Sequence, residues 1–284
     1  QPASDPALGA FEAAGLRVRR PEMISGRNGT APVATAAEWV AQRKRIVLFG
    51  DSLTEYSFDA GGWGAELAHN YTRKADVVNR GFSGYNTKWA LPMMEQVFAG
   101  CNDSNTLLVV LFFGANDACL PEPDGTGASR HQHVPVNQYV ANLRSMVAWL
   151  SARGLTRVLL VTPPPVYEPG RAEYVRQKYG AAGDTAWQLD RTNEATGRYA
   201  AATVSLGREL SIPVVELWTR MQDVRTDWGP ALLTDGLHFT PAGNHEVFLE
   251  IHSVIAQLMP EIRPEELPLH FPSFLAFEDA ALTV

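Results

Sequence analysis

The chain predicts an α/β fold, a three-layer α/β/α sandwich built around one parallel sheet. Two patterns carry this expectation. Five short apolar runs, at 46–49, 77–79, 107–113, 158–162 and 214–217, lack the in-out alternation of a half-exposed sheet, as strands covered on both faces do. Helical periodicity fills the intervals between them, and strands alternating with helices build βαβ units.

In chain order, residues 1–44 form an N-terminal extension with a short helix expected near 34–43. The main domain is expected over 45–259. Its first strand, Arg45-Ile46-Val47-Leu48-Phe49, runs straight into Gly50-Asp51-Ser52. The second ends in Asn79-Arg80-Gly81-Phe82-Ser83-Gly84, and the third breaks into Gly114-Ala115-Asn116-Asp117. Tyr139, Leu143, Met146, Val147 and Leu150 share one face of a helix that Gly154 stops. Asp184 is the expected cap of a long helix running toward Leu210. Pro241 opens the last helix, whose apolar side is Val247, Phe248, Ile251, Val254, Ile255 and Leu258. Residues 260–284 form a proline-rich tail, and its Leu269, Phe271, Phe274 and Phe277 need burial on their own domain or on a second copy. Monomer and homodimer both remain open.

A chain of 284 residues, 45% hydrophobic, can bury one large core, and no linker or internal repeat divides it. The net charge of −7 with scattered basic residues argues against nucleic acid and against an anionic membrane surface. No apolar run reaches the ~18 residues of a membrane span. The two cysteines, Cys101 and Cys119, flank the third strand, whose ends lie roughly 26 Å apart. A disulfide needs Cα atoms within about 7 Å, so none is expected, which leans toward a reducing, cytoplasmic setting, with a removed leader and secretion left open as the alternative. Glycosylation sequons occur at Asn28, Asn70 and Asn102, and matches this short arise by chance.

The chemistry concentrates at strand ends. Ser52 follows the first strand directly, where open α/β sheets bind ligands. Serine needs a base to become a nucleophile, and the base needs a carboxylate to fix its tautomer. Leu233-Thr234-Asp235-Gly236-Leu237-His238 supplies both, three residues apart. A glycine amide at Gly81 and the Asn116 side-chain NH₂ are suitable donors for the oxyanion of an attacked ester.

These four blocks, in this order, resemble those of the SGNH (GDSL-type) hydrolase family. The resemblance spans about 45–259, and the text around Asn116 and at 217–223 is similar to the isoamyl-acetate-hydrolysing esterase branch. It implies strand order 2-1-3-4-5 and a Ser52–His238–Asp235 triad, with Ser52, Gly81 and Asn116 as the oxyanion hole. It also implies that the 235–238 loop reaches back to Ser52. The expected activity is hydrolysis of short-chain, acetate-type carboxylic esters through an acyl-enzyme, falling in acid as the base is protonated. The same scaffold serves thioesterases, lysophospholipases and carbohydrate acetylesterases, and an acyl-enzyme can also pass its acyl group to an alcohol. A non-catalytic binder of this fold would not need both nucleophile and base.

The remaining candidates have plainer roles. Leu53, Phe82 and Tyr85 are expected to line a substrate pocket, whereas Trp89 suits core packing equally well. Asp51 and Asp117 suit local backbone support. His131 and His133 lie in a polar loop without matched acidic or sulfur ligands, a weak metal site. His245 and His252 sit seven apart on the last helix, as on a partly exposed flank. There is no G-x-S-x-G elbow, P-loop, G-x-G-x-x-G or C-x-x-C, so cofactor-free chemistry on a small-molecule ester is expected.

Overall fold

The computed structural model describes residues 17–18, 43–121, 131–179, 189–271 and 277–278. Five strands form the main sheet: β1 (Lys44–Gly50), β2 (Ala75–Gly81), β3 (Thr106–Phe112), β4 (Val158–Val161) and β5 (Val214–Val215). All neighbours are parallel, in the spatial order β2-β1-β3-β4-β5. Gly50 lies level with Gly81 on one side and with Phe112 on the other, so these three adjacent strands end together. That common edge carries the site.

Strand pleating divides the apolar residues between two cores. Ile46, Leu48, Leu108, Val110 and Phe112 face one helical layer; Val47, Phe49, Val109 and Leu111 face the other. The first layer contains α2 (Trp63–Asn70), α6 (Leu217–Asp223) and α7 (Pro241–Leu258), which contribute Trp63, Leu67, Met221, Val247 and Ile251. The second contains α3 (Val136–Ser151) and α5 (Asn193–Leu210), which contribute Tyr139, Met146, Tyr199 and Leu206. Each fully buried side chain of this size stabilises the fold by about 1.5–3 kcal/mol.

Two helices depart from expectation. α5 starts at Asn193, where the Thr192 hydroxyl accepts from Ala195 N at 3.1 Å; Asp184 lies outside the described residues. A helix α4 (Glu168–Tyr179) precedes it, without an apolar stripe to announce it: among its described side chains, Arg171 and Val175 are the buried ones. The helix expected at 34–43 falls almost wholly outside the described residues, as do Asn28 and Phe274. α7 begins as expected, with Thr240 as cap and Pro241 in the first turn.

The described part of the tail packs on this same domain. Tyr71 OH donates to Ile262 O at 2.9 Å, Lys74 Nζ to Leu267 O at 2.5 Å, and Arg73 Nη2 to Phe271 O at 2.9 Å. Further on, Phe277–Glu278 pairs antiparallel with Arg17–Val18. Cys101 precedes β3 and Cys119 follows it, and both are thiols. No helix among the described residues is long and apolar enough to cross a membrane.

Candidate active site

Ser52 is the first residue of α1 (Ser52–Glu55), a single turn that starts as soon as β1 ends. Asp51 caps it, its Oδ1 accepting from Leu53 N at 3.0 Å. The cap holds Ser52 at the sheet edge, where its Oγ lies 3.0 Å from His238 Nε2.

His238 and Asp235 come from a loop that closes on itself. Leu233 bridges Phe239, and Thr234 N donates to His238 O at 2.8 Å. Gly236 turns the loop with φ +77°, and a Cβ there would fall 2.3 Å from Arg171 N, so only glycine fits against the start of α4. Asp235 Oδ1 accepts from the backbone N–H groups of Leu237 (3.0 Å) and His238 (2.8 Å). Its Oδ2 lies 2.9 Å from His238 Nδ1 and 3.3 Å from Arg171 Nη1. A proton on Nδ1 satisfies the carboxylate and leaves Nε2 to accept from the Ser52 hydroxyl. Burial opposes ionisation of Asp235, but the bonds and charge of His238, its backbone N–H and the Arg171 guanidinium together hold the carboxyl well below the usual range.

On the other flank, Asn116 Nδ2 donates to Tyr85 O at 2.8 Å, leaving its second N–H, while its Oδ1 accepts from Arg191 Nη2 at 2.9 Å. The expectation for Gly81 needs correction. Its N–H already donates to Asn79 Oδ1 at 2.8 Å and is not offered to a ligand. The glycine is required for a different reason: a Cβ there would lie 2.0 Å from Glu55 N, because α1 crosses directly over the end of β2.

A cavity of about 190 Å³ opens beside Ser52 and His238, lined also by Leu53, Tyr56, Phe239, Pro241 and Asn244. Leu53, one of the residues expected at a substrate pocket, is in this lining. Phe82 and Tyr85 lie outside this lining, packed on the core around Phe49, with Phe82 edge-on to Phe49 at 6.1 Å. Trp89 is partly exposed at the surface, 6.2 Å from the Tyr85 ring. A larger cavity, about 400 Å³, sits at the amino ends of the strands near Lys44, Thr106 and Arg157, without Ser52 or His238 in its lining.

The remaining titratable candidates support structure. Asp117 accepts from Thr87 N at 3.0 Å and from the Thr87 hydroxyl. Burial pushes the carboxyls of Asp51 and Asp117 up to about 7. His133 Nδ1 is bonded to Cys119 O (2.6 Å), and His245 Nδ1 pairs with Glu66 at 3.0 Å, a bond that raises its pKa. His252 packs against Phe248 at 5.7 Å. Among the described residues no group of three or more His, Cys, Asp or Glu could hold a metal.

Three buried charges at the site, Arg171, Asp190 and Arg191, were not anticipated. Their one sequence signal is the Asp190-Arg191 pair at the entry to α5, and adjacent opposite charges are usually solvated.

Comparison with known proteins identifies the family. Residues 48–245 match the model of the GDSL-like lipase/acylhydrolase family. A GDSL esterase/lipase of Arabidopsis thaliana is 46% identical over 231 residues, covering 81% of this chain and 92% of the relative. An isoamyl acetate-hydrolyzing esterase 1 homolog of Rattus norvegicus is 39% identical over 227 residues, covering 79% and 86%. The crystal structure of a lipase/acylhydrolase from Enterococcus faecalis shares the fold, with TM-score 0.57 and 24% identity over 75% of this chain and 95% of that one. An acetylxylan esterase from Geobacillus stearothermophilus does so too, with TM-score 0.57 and 18% identity over 76% and 96%. The chain therefore belongs to the GDSL-like lipase/acylhydrolase family and is a carboxylic ester hydrolase.

Proposed function

We propose that the protein is a serine esterase that hydrolyses short-chain, acetate-type esters of small alcohols, with Ser52 as nucleophile, His238 as base and then acid, and Asp235 as the carboxylate that orients His238. The observation that carries this reading is the unbroken hydrogen-bond chain from Ser52 Oγ to His238 Nε2 (3.0 Å) and from His238 Nδ1 to Asp235 Oδ2 (2.9 Å). As Oγ attacks the ester carbonyl, Nε2 takes its proton and Asp235 stabilises the imidazolium. The same nitrogen then protonates the departing alcohol. Water repeats the sequence on the acyl-Ser52 intermediate, releasing the acid and restoring the hydroxyl.

Negative charge on the carbonyl oxygen needs preorganised donors. The Ser52 amide opens a helix and has no intrahelical acceptor. Asn116 contributes its second side-chain N–H. We assign the third donor to the amide of Gly84 instead of Gly81. Gly84 has φ +80° and adjoins Tyr85, whose carbonyl holds the Asn116 amide.

A cavity of about 190 Å³ is smaller than the roughly 300–1,000 Å³ of sites for drug-sized ligands, which favours a short acyl chain and a small alcohol. The name of the rat relative points to the same substrate class. Two measurements test the reading. Ser52→Ala should abolish both ester hydrolysis and labelling by a fluorophosphonate, and kcat/KM should fall from p-nitrophenyl acetate through butyrate to decanoate. Persistent activity in Ser52→Ala would end the assignment of the nucleophile, and a rise with chain length would overturn the substrate class.

A further inference from the structure

Between the two halves of the site runs a buried line of charges that the reaction steps above do not use. Arg171 clasps Asp190 with two bonds, Nε to Oδ1 at 2.8 Å and Nη2 to Oδ2 at 2.7 Å. Its remaining nitrogen, Nη1, reaches Asp235 Oδ2 at 3.3 Å. Arg191 Nη1 donates to Asp190 Oδ2 as well, the oxygen that also accepts from Arg171 Nη2. Arg191 Nε donates to Ala115 O at 2.9 Å, and Nη2 donates to Asn116 Oδ1 at 2.9 Å and Gln132 Oε1 at 3.1 Å. We propose that Arg171, Asp190 and Arg191 form a positioning unit that couples the triad carboxylate to the oxyanion donor. The proposal rests on the esterase reading above.

The charges alternate in sign from Asp235 through Arg171 and Asp190 to Arg191, and the last three side chains are at most 6% exposed. Ion pairs buried this deeply add little net stability, because desolvation offsets most of the attraction. Their value here is geometric. Arg191 has only donors, so it can face Asn116 only at Oδ1; Tyr85 O has only acceptor lone pairs, so it can face only the NH₂. Together they allow one flip of the Asn116 amide, the one that leaves an N–H for the oxyanion. The guanidinium also withdraws charge from that amide, which strengthens its remaining N–H as a donor.

Arg171 does the corresponding work at the other end. Asp235 Oδ2 is shared between Arg171 and His238 Nδ1, so the carboxylate is held ionised and aimed at the ring. Because both guanidinium groups grip one carboxylate, Asp190, the base side and the oxyanion side are fixed to a common anchor. Arg171 comes from the first turn of α4 and Asp190-Arg191 from the approach to α5, so these segments are tied to the sheet edge through side chains.

A double-mutant cycle tests this, with kcat expressed per site titrated by a fluorophosphonate, so that misfolded molecules do not count. Arg191→Lys keeps the charge beside Asp190 but loses the fork. It should lower kcat on p-nitrophenyl acetate about tenfold with KM within about twofold, and by less than about twofold in an Asn116→Ala background. Arg171→Lys should show the same dependence on Asp235→Asn. No loss of kcat in Arg191→Lys, or an equal loss with and without Asn116, would overturn the proposal.

Should the lysine variants fail to fold, the native arginine can be observed directly. Guanidinium ¹⁵N–¹H spectra of the unmutated protein should contain a rotationally restricted arginine signal that shifts in Asn116→Ala. An arginine spectrum indifferent to Asn116 would equally overturn the proposal. Ser52→Ala separates the two levels of inference. If it stays active the esterase reading fails; if it is dead while Arg191→Lys behaves as the native enzyme, only the positioning unit fails.

Discussion

Asp235 grips His238 at two points, with Oδ2 2.9 Å from the ring Nδ1 and Oδ1 2.8 Å from the backbone N–H of the same residue. The carboxylate therefore fixes where the imidazole sits as well as which nitrogen carries the proton. Asparagine at this position would keep one oxygen for the backbone and present its NH₂ to Nδ1, forcing the proton onto Nε2. Asp235→Asn should lower kcat on p-nitrophenyl acetate by roughly 10³–10⁴-fold with little change in KM. A loss smaller than about tenfold would remove Asp235 from the role assigned to it.

Asn116→Ala deletes one of the proposed oxyanion donors and leaves the proposed nucleophile and base in place. Steady-state kinetics should show kcat reduced by roughly 10²–10³-fold, with fluorophosphonate labelling of Ser52 slowed but not abolished.

Gly81→Ala addresses the turn instead of the chemistry. The new methyl would meet Glu55 N at 2.0 Å and Glu55 Cα at 2.4 Å, so α1 must move away from β2. Overpacking of this kind costs about 1–3 kcal/mol, visible as a lower Tm. Since Ser52 opens the displaced helix, kcat should fall as well. An unchanged Tm and kcat would show that α1 yields without cost.

Asp51 links pH to stability. Burial raises its carboxyl from 3.8 to about 7, so the folded state holds a proton that the unfolded chain releases. Its contribution is fully present below the unfolded value and is lost as pH rises toward 7, at up to roughly 1.4 kcal/mol per pH unit while one group titrates. An asparagine in its place would keep the capping oxygen and remove the titration. In Asp51→Asn, the fall in Tm between about pH 5 and about pH 8 should be smaller than in the native protein. Equal slopes in a thermal melt series would refute this.

Much of this architecture was legible in the residues. The five apolar runs marked the five strands because central parallel strands must be apolar on both faces. Thr240-Pro241 marked the start of α7 for a local reason, a hydroxyl cap followed by a residue that needs no N–H donor. α4 was not legible, since a helix whose surface is almost wholly polar leaves no periodic signal. Gly81, which ends β2, and Gly84, just beyond it, could not be told apart from spacing alone. What distinguishes them is a single bond, Gly81 N to Asn79 Oδ1, together with the positive φ of Gly84. Nor could burial of Arg171 and Arg191 be foreseen. Partners of these side chains lie 19, 64 and 75 residues away in sequence, and a lone arginine in a polar segment normally faces water.

The closed loop between Leu233 and Phe239 has a mechanical consequence. The proposed base His238 and its carboxylate partner Asp235 ride on one miniature hairpin cinched by its own backbone, whereas the Ser52 hydroxyl belongs to a different strand end. Any shift of that hairpin displaces the imidazole and carboxylate as one body, preserving their alignment while opening the gap to the serine. Drift in this enzyme would thus uncouple proton transfer from nucleophilic attack before it disturbed the tautomer, and a single interatomic separation would report whether a given conformer is competent.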